Sequence, residues 1–91
     1  MSIKYNPATL TRIEKLIEEL GYILRYERGT FQSGYCILEQ RKVVVLNKFL
    51  QTEGRINTLI DLLSNLSVEP THLSPDNRKL YEELSARFEE S

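Results

Sequence analysis

Apolar positions near the start of the chain recur at helical spacing. Leu10, Ile13, Leu16, Ile17 and Leu20 share one face, while Arg12, Glu14, Lys15, Glu18 and Glu19 occupy the rest, with Lys15 and Glu19 able to pair at i, i+4. Asn6 is placed to cap, Pro7 suits the first helical position, and Gly21 suits a left-handed helix end, so a helix is predicted over 7–20. The period then changes from 3.6 to 2. "YILRYE" sets Tyr22, Leu24 and Tyr26 on one face and Ile23, Arg25 and Glu27 on the other, and "YCILE" and "KVVVLN" read as two further strands. Strands are therefore expected at 22–27, 34–39 and 42–47, with "RGTFQSG" as a loop or wide hairpin connection. Gln40-Arg41 lacks the glycine or asparagine usual in a two-residue hairpin turn, so the turn boundary is expected to shift. Helical spacing returns in "GRINTLIDLLSNL", where Ile56, Leu59, Ile60, Leu63 and Leu66 form a stripe widened by Leu62, predicting a helix over 53–66. "SVEPTHLSP" is a connector. Ser74, Pro75 and Asp76 then open a helix over 75–89 lined by Leu80, Tyr81, Leu84 and Phe88.

The order α-β-β-β-α-α over residues 1–91 implies one α+β domain. The Val43-Val44-Val45 run suggests a strand buried on both faces and placed centrally. Short connections favour a three-stranded antiparallel meander packed against helices. The first two helices are expected on one sheet face, leaving the other partly covered. So small a sheet is near the minimum that folds alone, which favours dimerisation.

Composition adds limits. Apolar residues at 41% and charged residues at 27% are ordinary for a globular chain. No apolar run approaches the roughly 18 residues of a membrane helix, and "MSIKYNPATL" lacks the apolar core of a signal peptide. With one cysteine, Cys36, no internal disulfide forms, and a cytoplasmic setting is expected. Residues 1–50 carry eight Lys/Arg against five Asp/Glu, and residues 51–91 carry four against eight. That asymmetry permits head-to-tail or self-complementary contacts, and it lacks the concentrated basic stripe of a nucleic-acid binder.

Candidate chemistry is sparse. Cys36 reads as a small buried hydrophobe, since a nucleophile needs a nearby base and the single histidine, His72, lies in the connector between the last two helices. One cysteine and one histidine cannot furnish a four-ligand zinc site within the chain, so no metal and no cofactor is expected. Phosphate-binding glycine loops are absent, and the paired glutamates fall on helix exteriors. Polar residues concentrate instead where the third strand runs into the second helix: Asn47, Lys48, Arg55 and Asn57, with Arg25 nearby. Basic side chains at a helix N-terminus make a serviceable anion site; the same residues also serve as caps and as partners for strand-end carbonyls.

Asp61 and Asn65 stand at i, i+4 on the second helix. Together with Leu20-Gly21-Tyr22-Ile23 at the end of the first helix, and "VVVLN" ahead of "RINTLIDLLSN", they give the chain an outline that resembles the ImmA/IrrE-type metallopeptidase-like domains of bacteria and phages. The family helix has the form R-x-T-L-A-H-E-x-x-H. Thr58-Leu59-Ile60 match its opening, Asp61 and Asn65 stand at the two histidines, and Leu62 stands at the glutamate. The resemblance spans roughly the first two-thirds of the chain and implies a fold relative without peptidase activity, because leucine cannot polarise a water and an Asp/Asn pair is a poor zinc site.

The resulting expectation is a non-enzymatic interaction or regulatory module that self-associates as a homodimer or binds a protein partner, using an uncovered sheet face or the third helix. The alternative is a small anion- or ligand-binding protein, or an enzyme, with its site at Asn47, Lys48, Arg55, Asn57 and Arg25. Ranked below both is single-stranded nucleic-acid binding, with Tyr22, Tyr26, Phe31 and Tyr35 interleaved with Arg25, Arg28, Arg41 and Lys42 on the sheet. No membrane partner is expected.

Overall fold

The computed structural model describes residues 3–28, 35–38 and 40–88, with the side chain of Cys36 outside that description. The loop expected over 28–34 therefore lies outside the described residues beyond Arg28, as do the strand ends at Gly34 and Glu39 and the tail from 89 onward. Among the described residues, three α-helices and a three-stranded sheet make an α+β fold.

Helix α1 spans Pro7–Glu19. Asn6 holds an extended backbone and its Oδ1 accepts the Thr9 N–H at 2.8 Å, a cap of about 1 kcal/mol. At the other end Gly21 takes φ 97°, so the Gly21 N–H reaches the Glu18 carbonyl at 2.9 Å and the Tyr22 N–H reaches Ile17 at 3.3 Å. This double closure needs a left-handed residue, which glycine supplies without strain, and it turns the chain directly into the first strand.

Strands β1 (Ile23–Glu27), β2 (Tyr35–Leu38) and β3 (Val43–Asn47) lie in the order β1-β3-β2. β3 is central, as its β-branched run suggests, but the antiparallel meander is not formed. β1 pairs parallel to β3, from Ile23 opposite Val43 to Glu27 opposite Asn47, while β2 pairs antiparallel to β3 on its other side. The sheet is mixed. The physical reason lies in strand chemistry: a meander would centre the short β2, whereas this order centres the most apolar strand and leaves Arg25 and Glu27 on an edge, where charge is tolerated. The β2–β3 connection is longer than Gln40-Arg41. The Arg41 N–H closes on the Leu38 carbonyl at 3.1 Å, and Lys42 follows at φ 55°, a left-handed residue of the kind that completes longer hairpin loops.

Burial along β3 alternates. Val44 and Leu46 are fully buried, while Val43 and Val45 are half-buried, so the strand is sealed on one face rather than on both. The sealed face meets Ile13, Leu16 and Ile17 of α1 and Ile56, Leu59, Leu62 and Leu63 of α2 (Thr52–Ser64), all in one buried cluster. Leu62 is a full member of that stripe, and Asp61 and Asn65 lie outside it on the exposed flank.

A single 3-10 turn, Pro70–His72, interrupts the connector, and helix α3 spans Pro75–Ser85. Ser74 occupies the capping position of α3 without a side-chain cap bond. The Glu19 carboxylate of α1 serves there instead, accepting the Ser74 N–H at 2.8 Å and the Asn77 side-chain N–H at 2.9 Å. These bonds, led by the one from Asn77, hold the Glu19 carboxyl below its usual pKa. Glu19 is therefore an interhelix clamp rather than a partner for Lys15. Leu80 and Leu84 are buried against α1, and Tyr81 and Phe88 meet edge-to-face at 6.1 Å. Among the described residues no helix is long and apolar enough to cross a membrane.

Candidate functional site

The corner where β3 runs into α2 is built around Arg55. The Arg55 Nε donates to the Leu50 carbonyl at 2.9 Å, one Nη donates to the Lys48 carbonyl at 3.0 Å, and the guanidinium lies over the Tyr26 ring at 4.4 Å from its centroid. Tyr26, on β1, donates its hydroxyl to Glu14 of α1. Burial, together with that bond to a carboxylate, pushes the Tyr26 phenol above its usual range. The chain α1–Glu14–Tyr26–Arg55–loop thus ties the first helix, the edge strand and the β3–α2 corner together. Asn47 folds its Oδ1 back to accept the Phe49 N–H at 2.9 Å, which shapes the turn into α2. Lys48 extends its ammonium over Phe49 at 5.6 Å, and Arg28 lies over the same ring at 5.9 Å.

Of the five residues singled out by sequence, the structure gathers Asn47, Lys48 and Arg55. Asn57 is exposed on α2, and its side chain makes no hydrogen bond among the described residues. Arg25 points from the other sheet face and pairs with Glu27 at 3.5 Å, both side chains well exposed. Tyr26 and Glu14, which complete the corner, carried no signal in the sequence beyond parity and helical phase. Their meeting is a long-range fact of how α1 crosses the sheet.

The second feature is the face of the sheet turned away from the described helices. Ile23, Val43 and Leu38 align across the three strands in one register row, with Val45 beside them. Ile23 is 58% exposed and Leu38 46%, while Val43 and Val45 are half-buried. Arg25 and Glu27 bound this row along the β1 edge, and Asn47 closes its far end. Tyr22, Tyr26 and Tyr35 all belong to the opposite parity and pack on the helix side. The bare face consequently presents aliphatic residues without aromatic rings from the described strands. Phe31 lies outside the described residues.

On α2, Leu62 is fully buried in the core. The Asn65 side chain donates to the Tyr35 hydroxyl at 3.0 Å and to the Asp61 carbonyl at 3.1 Å. Asp61 is exposed on the same flank. Among the described residues no three His, Cys, Asp or Glu side chains stand close enough to hold a metal ion. The Cys36 side chain lies outside the described residues; His72 is exposed in the 3-10 turn. A scan of family models, a search of curated proteins and a search of solved structures each found no match to this chain.

Proposed function

We propose that this protein is a non-enzymatic interaction module that works as a homodimer, with the uncovered sheet face as the contact. The observation that carries this reading is the Ile23–Val43–Leu38 row, a continuous aliphatic strip with both ends more than two-fifths exposed. Covering large exposed aliphatic side chains is favourable at about 25 cal/mol per Å². A second copy is the occupant because the face is self-complementary. Its centre is apolar, and its β1 edge offers one cation and one carboxylate, Arg25 and Glu27, that a two-fold axis lets two copies exchange.

The patch is small. Three strands at about 4.8 Å spacing and five residues of length cover roughly 15 by 16 Å, well below the ~800 Å² per partner of a standard interface. The dimer is therefore expected to be weak and concentration-dependent. In this reading Arg55 is a clamp for the β3–α2 corner, because its bonds go to main-chain carbonyls and its face to Tyr26. The metallopeptidase-like outline fits a non-catalytic relative, since a buried leucine occupies the glutamate position.

Sedimentation equilibrium over a wide concentration range tests the proposal. Wild type should show a reversible monomer–dimer equilibrium, and Ile23→Lys should remain monomeric at concentrations where wild type is mostly dimeric. Equal association by the two would remove the sheet face from the account.

A further inference from the structure

Helices α1 and α3 run antiparallel and are clasped at both ends. Glu19 holds the start of α3 through Ser74 and Asn77, and beyond the far ends of the two helices Arg87 donates to the Tyr5 hydroxyl at 3.2 Å while lying over its ring at 5.8 Å. Between the clasps lies a groove of about 630 Å³, within the size range of small-molecule sites. Its floor is Leu80 with Thr9, both buried. Its walls carry Lys4, Arg12, Lys15 and Lys79 against two carboxylates, Asp76 and Glu83.

None of the four cations makes an ion pair, hydrogen bond or ring contact among the described residues, although both carboxylates line the same groove. This separates the groove from the β3–α2 corner, where Arg55 donates to two carbonyls and lies over Tyr26. Four cations against two carboxylates leave an excess of two positive charges among the side chains that line the cavity. An apolar floor beneath a doubly positive wall matches a ligand with an uncharged body and a dianionic head. We propose that the α1–α3 groove binds a small soluble phosphate monoester, with Arg12 of α1 and Lys79 of α3, which both line it, as the principal phosphate partners and Leu80 beneath the ligand body. The clasps fix the walls before binding, so little ordering is required when the ligand enters. This site is independent of the sheet-face dimer, since it involves neither strand surface nor Arg25.

The experiment is an amide NMR titration of the full chain with adenosine 5′-monophosphate, and in parallel with adenosine, inorganic phosphate and a single-stranded oligonucleotide. Adenosine 5′-monophosphate should shift amides around Thr9, Arg12, Asn77 and Leu80. Adenosine alone should leave them in place, and inorganic phosphate should move the same set more weakly. Arg12→Ala with Lys79→Ala should weaken the monoester by roughly tenfold or more, whereas Arg41→Ala, remote from the groove, should leave binding unchanged. Glu83→Gln, which removes a repelling charge without disturbing the fold, should tighten it. The proposal is overturned if millimolar adenosine 5′-monophosphate moves no groove amide, or if both the double variant and Glu83→Gln bind as wild type does. Oligonucleotide binding through the groove that is tighter than the monoester's would also overturn the assignment to a small ligand.

Discussion

The two faces of the sheet share the same three strands and the same alternating pattern, yet they have opposite fates. On one face Val44 and Leu46 are sealed under α1 and α2, and even its polar groups are tied: Tyr26 to Glu14, Arg55 over Tyr26. On the other face Ile23 and Leu38 stand open, and the Arg25–Glu27 pair is solvated. An exposed ion pair of this kind contributes little to stability, about 0–1 kcal/mol. The contrast teaches that one face is committed to folding and the other is left available, and it can be broken at several points.

The largest effect is expected in the sealed face. Leu62→Ala removes a fully buried side chain and should cost about 2–5 kcal/mol in urea denaturation. Ile23→Ala should cost well under half as much at low protein concentration, because Ile23 is mostly solvated there. Similar losses for the two would erase the distinction between the faces.

An intermediate effect falls at the corner. Arg55→Lys keeps the charge but loses the planar fork that reaches two carbonyls while stacking on Tyr26. A loss of about 1–2 kcal/mol is expected from the two bonds and the stack together, read as a lowered Tm. An unchanged Tm would mean that the loop 48–50 holds itself.

The smallest effect at neutral pH belongs to Tyr26. Its phenol is raised in the folded state by burial and by Glu14. The stabilisation is complete below the unfolded tyrosine pKa of about 10 and declines as pH rises above it, because the unfolded chain then loses a proton that the native state retains. Wild-type stability should therefore fall with increasing pH in that alkaline range, and Tyr26→Phe should flatten the slope. An equally steep decline in the variant would assign it to other groups.

The sealed face was the easier to read from the chain. The stripes of α1 and α2 and the shared parity of Tyr22, Leu24 and Tyr26 are local periodicities, and much of the core follows from them, whereas the Val43–Val45 run hid the alternation that seals only Val44. The ends of α1 were equally legible, because Asn6, Pro7 and Gly21 act within a few residues of themselves. Strand order was not. Which strand lies beside β1 depends on a pairing between residues 20 apart in sequence, as Ile23 with Val43, and periodicity has no term for it. The same limit hid Tyr26–Glu14 and the Glu19 clamp on Ser74 and Asn77, where i, i+4 reasoning offered Lys15 instead. Of the candidate polar residues, sequence brought Asn47, Lys48 and Arg55 to one corner because they lie within a single turn and helix start. It could not show that the Arg55 donors would go to carbonyls, nor that Lys4, Arg12, Lys15 and Lys79 would meet across a groove from opposite ends of the chain.

The bare face as a self-association surface is tested most directly by intermolecular contacts in a sample mixed from isotope-labelled and unlabelled chain. At concentrations where dimer is populated, the methyl groups of Ile23, Val43 and Leu38 should show cross-chain nuclear Overhauser contacts with one another, and these should vanish on dilution. Cross-chain contacts confined to α3, or none at all in a chain that stays monomeric up to millimolar concentration, would contradict the account.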